Sequence, residues 1–298
     1  MTLGAPTLEC LGTISFGGIV DDSSGDSGTI TYGWVSVQSI NNLGDVSATA
    51  ALGAYSADPR KIPNDCGVIW PYASPKAPEL IRATAPSALF SDFQKSVTGN
   101  ANAINDQQQV VGKMGTSPVR AFRYDFPTGT MTTYLPVGPG SPTQAVIVDN
   151  DNEGDMVGVT SVSTSTLNRA CQVVGGGLVS LGTLDNSASS ESSAQGVSRP
   201  TSTGVPTIVG YSSLLVGGKR GAYEHRAFVY TEAKGMRDLF PLVDRNAAGY
   251  PVGLKAADLN SVPKINNLGQ IAGTIAGSQY QGTSGLYSGR VWIVTPKP

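Results

Sequence analysis

Three stretches decide how this chain reads: SINNLGDVSA (39–48), AINDQQQVVG (103–112) and PKINNLGQIAG (263–273). Each joins an Ile-Asn to a polar turn, and then to a short apolar run closed by Gly or Ala. A looser copy is VDNDNEGDMVG (148–158). A fourth position is weaker still, AQGVS (194–198) followed by VPTIVG (205–210). The copies end at Ala48, Gly112, Gly158, Gly210 and Gly273, spaced by 64, 46, 52 and 63 residues. Self-similarity at such a period marks one supersecondary unit used repeatedly.

A second element follows each copy. It reads RAFRY (120–124), RACQV (169–173), RAFVY (226–230) and RVWIV (290–294), with CGVIW (66–70) in the first unit. A third closes most units: GTMTTYL (129–135), GLVSLGTL (177–184) and GMRDL (235–239), with PELIR (78–82) filling the first slot. Short apolar or alternating runs bounded by Gly, Pro and Asn are strand signals with turns between them. Each unit therefore reads as four antiparallel strands, a to d. Strand a ends at the Ile-Asn, b carries the Val-Val-Gly, c the Arg-Ala-Phe, and d a Leu near its end. Four-stranded units of this length are propeller blades, each needing a neighbour on either side. The expectation is an all-β, five-bladed β-propeller, one domain over residues 1–298. The fifth unit stops after strand c, at VWIVTPKP (291–298), while TLECLGTI (7–14) matches the strand d LVSLGTL (178–184). The N-terminal strand is thus expected to complete the last blade, hiding two open edges. A β-sandwich would not account for five similar units, and a β-helix has shorter, more regular coils. Helix is expected only for a turn or two in SALFSDFQKSV (87–97).

The pattern Ile-Asn-x-x-Gly-x-Val-x-Gly, then Arg-Ala-Phe, then Gly-x-x-x-x-Leu, resembles the HAF family of extracellular repeat proteins. It is carried by Ile40-Asn41 with Gly44, Ile104-Asn105 with Gly112, Ile265-Asn266 with Gly269 and Gly273, and the Arg-Ala-aromatic runs at 120–122 and 226–228. The third unit departs from it with Cys171 in the aromatic position, and the fourth lacks the Ile-Asn. The resemblance implies export and a propeller-type fold. It implies no activity that can be carried over residue by residue.

Composition narrows the functions open to such a chain. Of 298 residues, 20 are Lys or Arg and 22 are Asp or Glu, a net charge of −2. Without a basic surplus, binding of nucleic acid through a charged face is not expected. Charged residues are 14% of the chain, against about 25% in an ordinary domain. The 37 Gly and 19 Pro argue against long helices. No apolar run is long enough for a membrane-spanning helix. Low Lys, with abundant Ser, Thr, Gly and Asn, leans toward a secreted or cell-surface protein. MTLGAPTLEC (1–10) lacks the basic and apolar regions of a leader, which would then be absent from this chain. Three Cys and one His give neither a disulfide framework nor a histidine metal site, though Cys10 and Cys66 could pair in an exported chain. The arginines repeated at 120, 169, 226 and 290 are read as structural, bonding neighbouring carbonyls, because one active site needs only one copy.

Tight connections fall between strands a and b and between c and d. The long segments 49–65, 159–168, 211–225 and 274–289 connect b to c, and 15–33, 82–101 and 240–262 connect d to a. All are expected on one face, where loops on a rigid scaffold carry function. GKRGAYEHR (218–226) is chemically the most varied, and the loop after the same blade carries Asp244, Arg245, Tyr250 and Asp258. Arg220, Tyr223, Arg245, Tyr250 and Tyr280 are the expected ligand contacts. The function expected is recognition of a polysaccharide or other surface ligand by a monomer. The alternative is a polysaccharide lyase or glycoside hydrolase using Glu224, His225, Asp244 and Asp258 as acids and bases. No cofactor is expected. DNDNEGD (149–155) resembles half a calcium loop, with Asp149, Asp151 and Glu153 as oxygen donors. Thr160 stands where an EF-hand needs Glu, so that motif is excluded. A shallow calcium site is set there against the plainer reading, an acidic copy of the a–b turn.

Overall fold

The computed structural model describes residues 15–16, 30–53, 65–73, 79–81, 99–115, 118–137, 143–161, 167–215, 223–244, 246, 259, 263–275 and 290–296. The chain is all-β. Five antiparallel sheets, following one another along the sequence, make a five-bladed β-propeller. By packing the chain divides into two compact units, Met1–Val110 with Tyr124–Met131, and Val111–Arg123 with Thr132–Pro298. Among the described residues no helix is long and apolar enough to cross a membrane.

In the first unit, β1 (Ser15–Phe16), β2 (Ile30–Ile40), β3 (Val46–Gly53), β4 (Asp65–Trp70) and β5 (Glu79–Leu80) form one sheet in sequence order. β2 begins inside the stretch expected as a loop over 15–33, and runs for 11 residues with register shifts at Tyr32/Trp34 and Val37/Ser39. ITYGWVSVQSI is dense in β-branched and aromatic residues, which favour strand, and Gly33 sits where the first shift relieves the pleat. β6 (Gly99–Ile104) opens the second sheet and packs on β2, β3 and β4. Ala48, Val68, Ile69 and Ala101 are fully buried there.

The tight a–b turn is built by its first side chain. Asn41 Oδ1 accepts the Asp45 N–H at 2.8 Å, and Asn41 Nδ2 donates to Asp45 Oδ2 at 3.0 Å. Gly44 lies at φ +88°, and a Cβ there would come within 2.8 Å of the Tyr72 ring, so glycine is required twice over. The Ile104-Asn105 copy repeats the device. Asn105 Oδ1 accepts the N–H groups of Gln107 and Gln109, and Nδ2 donates to Gln109 Oε1 at 3.0 Å. The two turns then clasp each other. Asn41 Nδ2 donates to the Asn105 carbonyl at 3.0 Å, the Asn42 N–H to Asp106 Oδ1 at 2.7 Å, and Gln108 Nε2 to Asp45 Oδ2 at 2.8 Å. The Asn41 side chain thus both closes its own turn and ties it to the next.

The second sheet continues with β7 (Gln109–Met114), β8 (Arg120–Asp125) and β9 (Thr130–Tyr134). In the second unit the third sheet is β10 (Ala145–Asn150), β11 (Met156–Ser161), β12 (Asn168–Val174) and β13 (Gly177–Gly182). The fourth is β14 (Ser192–Ser198), β15 (Thr207–Leu215), β16 (Tyr223–Thr231) and β17 (Gly235–Asp238). The fifth is β18 (Lys264–Ile265), β19 (Ile271–Ile275) and β20 (Arg290–Val294), three-stranded among the described residues. The segment 7–14, expected to complete it, lies outside the described residues, as do the 87–97 helix and Cys10 of the proposed Cys10–Cys66 pair. The a–b connection of the fourth sheet, 199–206, is longer than its counterparts. It lacks the Ile-Asn, and Gly204 and Thr203 fold back on the Pro200 carbonyl instead. Long connections are therefore not confined to one side of the blades.

The cores of this unit lie between successive sheets. Phe228 is fully buried with Val157, Ala170, Ala194, Val197 and Ile208. Trp292 is buried with Val209, Val229, Leu239, Leu259 and Ile271. These strand-c aromatics are wedges between successive sheets, each worth about 2–3 kcal/mol in transfer alone. Cys171, in the same position of the third sheet, is a free, buried thiol pushed up to about 12 by desolvation. The strand-b glycines explain themselves by register. Gly210 pairs with Phe228 and Gly273 with Trp292, while the first sheet pairs Ala48 with Val68. A Cβ on Gly273 would come within 2.7 Å of the Trp292 ring. Glycine and aromatic, or alanine and valine, are two fillings of one space. Gly273→Ala should therefore cost about 2–3 kcal/mol by urea unfolding, and close to nothing in a Trp292→Val background. Equal cost in both backgrounds would refute the pairing.

Candidate functional site

The GKRGAYEHR segment meets the fold at the β15–β16 hairpin. Beyond Ser212, which pairs with Ser192 of β14, β15 pairs only with β16. The two strands project as a ribbon through the pairs Ser213↔His225, Leu214↔Glu224 and Leu215↔Tyr223. Successive side chains of a strand point to opposite faces. Glu224 and His225 are neighbours in sequence and for that reason cannot share a site.

One face carries Tyr223, His225, Leu215 and Tyr211. The imidazole of His225 stacks on the Tyr211 ring, centroids 5.3 Å apart and planes 13° from parallel. Its Nε2 lies 3.2 Å from Glu191 Oε1. Glu191 is placed by backbone bonds: its N–H donates to Ser213 Oγ at 2.7 Å, and its carbonyl accepts the Ser213 N–H at 2.8 Å. Ser212 Oγ donates to the same carbonyl at 3.1 Å. Ser212 and Ser213 are buried, so this anchor is shielded from water. Tyr223 (44%), Leu215 (47%) and the side chain of His225 (44%) remain exposed above it. The result is a strip of ring and aliphatic surface with a fixed carboxylate acceptor at one side.

The other face is an ion-pair network. Arg226 Nη2 meets Glu224 Oε2 at 2.9 Å, and Nη1 meets Asp238 Oδ2 at 3.0 Å. Burial works against the guanidinium, but its bonds to Glu224 and Asp238 outweigh it and hold its pKa above the ordinary value. Asp238 Oδ1 also accepts the Phe240 N–H at 2.9 Å, fixing the chain as it leaves β17. Glu224 is thus engaged in holding β16, on the face away from His225. Asp244 accepts the Asn246 N–H at 2.9 Å in a local turn. Arg220, Arg245, Tyr250, Asp258 and Tyr280 lie outside the described residues.

Asp149, Asp151 and Glu153 do not converge. Asp149 accepts the Val197 N–H at 3.3 Å and lies 3.6 Å from Lys264 Nζ. Asp151 Oδ1 accepts the Glu153 and Asp155 N–H groups at 3.1 and 2.8 Å, the a–b turn with an acid in the asparagine position. Glu153 is exposed. Among the described residues no group of three His, Cys, Asp or Glu is placed to hold a metal ion. Of the repeated arginines, Arg169 bonds the carbonyls of Ser187, Ala188 and Ser190, as a structural role requires. Arg226 binds carboxylates instead.

Sequence reading missed Glu191, Tyr211 and the Ser212–Ser213 anchor. Glu191 is one acid in the serine-rich run SASSESSAQ (187–195), and only the β14–β15–β16 register brings it to His225. No family model, no curated protein and no solved structure matches this chain. What the geometry defines is a class: a β-propeller bearing an exposed aromatic ribbon. Because Arg226 joins two acids that are each about a fifth exposed, Arg226→Met should cost about 1–2 kcal/mol in urea melts, after allowance for solvent screening. Glu224→Gln should cost less. No change in the melt of Arg226→Met would show the network to be idle.

Proposed function

We propose that this chain is an exported binding module that recognises a polysaccharide or other surface ligand through the exposed face of the β15–β16 ribbon. The observation that carries this reading is the strip formed by Tyr223, Leu215 and the stacked His225–Tyr211 pair, with Glu191 beside it. Rings offer the apolar face of a sugar a large contact at little entropic cost, while a fixed carboxylate accepts hydroxyl hydrogens. The ribbon stands on a buried serine anchor, so little ordering is needed on binding. The low charge of the chain and the HAF-like repeat pattern support export. Catalysis by Glu224 and His225 together is disfavoured, because the pleat separates them and Arg226 engages Glu224.

The test is affinity electrophoresis against a panel of neutral and acidic polysaccharides. At least one should retard the protein. Tyr223→Ala and Tyr211→Ala should each weaken retardation about fivefold, or about 1 kcal/mol, with an unchanged melting temperature. Tyr72→Ala, which removes an exposed tyrosine of the other unit, should have no effect. Retardation by no glycan, or equal retardation of all variants, would overturn the proposal. Release of new reducing ends or of an unsaturated product would replace it with an enzyme.

A further inference from the structure

Rings and aliphatic groups hold many ligands, and the group that discriminates among them is the charged one. Beside the strip of Tyr223, Leu215 and the His225–Tyr211 pair the described residues supply one acid, Glu191, its side chain 31% exposed. Glu224 and Asp238 lie on the opposite face, bound to Arg226. Glu191 Oε1 meets His225 Nε2 at 3.2 Å, and among the described residues Oε2 has no donor of its own.

The backbone that carries this carboxylate is held by two sheets. On the fourth, the Glu191 N–H donates to Ser213 Oγ at 2.7 Å and its carbonyl accepts the Ser213 N–H at 2.8 Å. From the third, Arg169 holds the turn that leads into it. Nη2 donates to the carbonyls of Ala188 and Ser187 at 2.8 and 3.3 Å, and Nη1 to that of Ser190. Asp185 takes up the same turn, accepting the Ser190 hydroxyl at 2.6 Å and the Ser187 N–H at 2.9 Å. Arg169 and Ser190 are buried, so the approach to Glu191 is locked from beneath. The end nitrogens of Arg169 are spent on carbonyls, and the negative charge of Glu191 is left facing the strip.

Resting on the binding reading above, we propose that Glu191 sets the specificity of the strip, which takes a polysaccharide without acidic groups and turns away those that bear carboxylate or sulfate. An ionised carboxylate only accepts hydrogen bonds. A sugar hydroxyl has a hydrogen to give it. A carboxylate or sulfate on the ligand has none, and brings a like charge to a site whose rings exclude part of the water. Repulsion between partly exposed charges a few ångströms apart lowers affinity about fivefold and weakens with salt.

The test is affinity electrophoresis at pH 8, where histidine is ordinarily uncharged. The probes are dextran, hydroxyethyl cellulose and galactomannan, each beside its carboxymethyl derivative. For every neutral backbone that retards the chain, the carboxymethyl form should retard it about fivefold less at about 20 mM salt, and about twofold less or closer at about 0.5 M. Glu191→Gln keeps the backbone bonds, and should close the low-salt gap by strengthening retention on the carboxymethyl form. Glu153→Gln removes the same charge from an exposed site on the third sheet, and should leave the gap as it is. Both variants should keep the wild-type melting temperature. A carboxymethyl form retained as strongly as its parent at low salt, or a gap that survives in Glu191→Gln, would overturn the assignment and leave the binding reading standing. A gap closed equally by Glu153→Gln would also overturn it, because net charge would then be the cause. Retention on no member of either series would remove the binding reading, and this specificity with it.

Discussion

One side chain carries the architecture: the asparagine that opens the a–b turn. A tight turn leaves backbone N–H groups pointing inward, and a side-chain acceptor placed among them closes it. The Asn41, Asn105 and Asn266 oxygens supply it, while their amide nitrogens bridge to the fifth residue and hold the ring of bonds shut. Glutamine is too long for this geometry, and serine has no second arm. The constraint explains why Ile-Asn recurs in three of the five units. In the fourth sheet it is absent, and the connection lengthens to 199–206 and closes on the Pro200 carbonyl.

Given closed turns, neighbouring sheets are joined by two kinds of contact of different character. At the turns the seam is polar and directional, as between Asn41 and Asn105, or Arg199 and Asp155. Away from them it is apolar and set by volume, as in the clusters around Phe228 and Trp292. Polar turn contacts fix the register of one sheet on the next, and the wedges supply most of the burial. The glycine opposite each of these wedges belongs to the same logic, since Gly210 and Gly273 leave the space their aromatic partners fill. The Ala48–Val68 pair shows that the space can be divided differently without changing the strand pairing.

Much of this was legible in the residues. The five units and the strand boundaries at Ile-Asn, Val-Gly and Arg-Ala-Phe follow from pattern alone. Pattern failed where a segment belonged to no repeat. The early start of β2 was hidden because ITYGWVSV has no equivalent in the other units, and the pairing of Ser15–Phe16 with Thr31 and Ile30 is too short to leave a signal. The site was less legible than the fold. The ribbon was found because GKRGAYEHR is chemically unusual. Its exposed aromatic face was not, because linear proximity groups Glu224 with His225, whereas the pleat groups His225 with Tyr223. Glu191 and Tyr211 reach the imidazole only through three-strand register, which composition and spacing do not encode.

That pleat also bears on which chemistry the ribbon can support. Acid–base catalysis on a glycosidic bond needs two carboxyl groups facing one another across the substrate, about 5–10 Å apart. On the His225 face the described residues supply one acid, Glu191, and it is already bonded to the imidazole. Glu224 and Asp238 share the opposite face, but the guanidinium of Arg226 lies between them and binds both. Thus the acids of the fourth sheet are set where they stabilise strands, and the rings are set where they meet solvent. The proposed recognition of a ligand draws on this division, with the charges engaged and the aromatic and aliphatic groups presented.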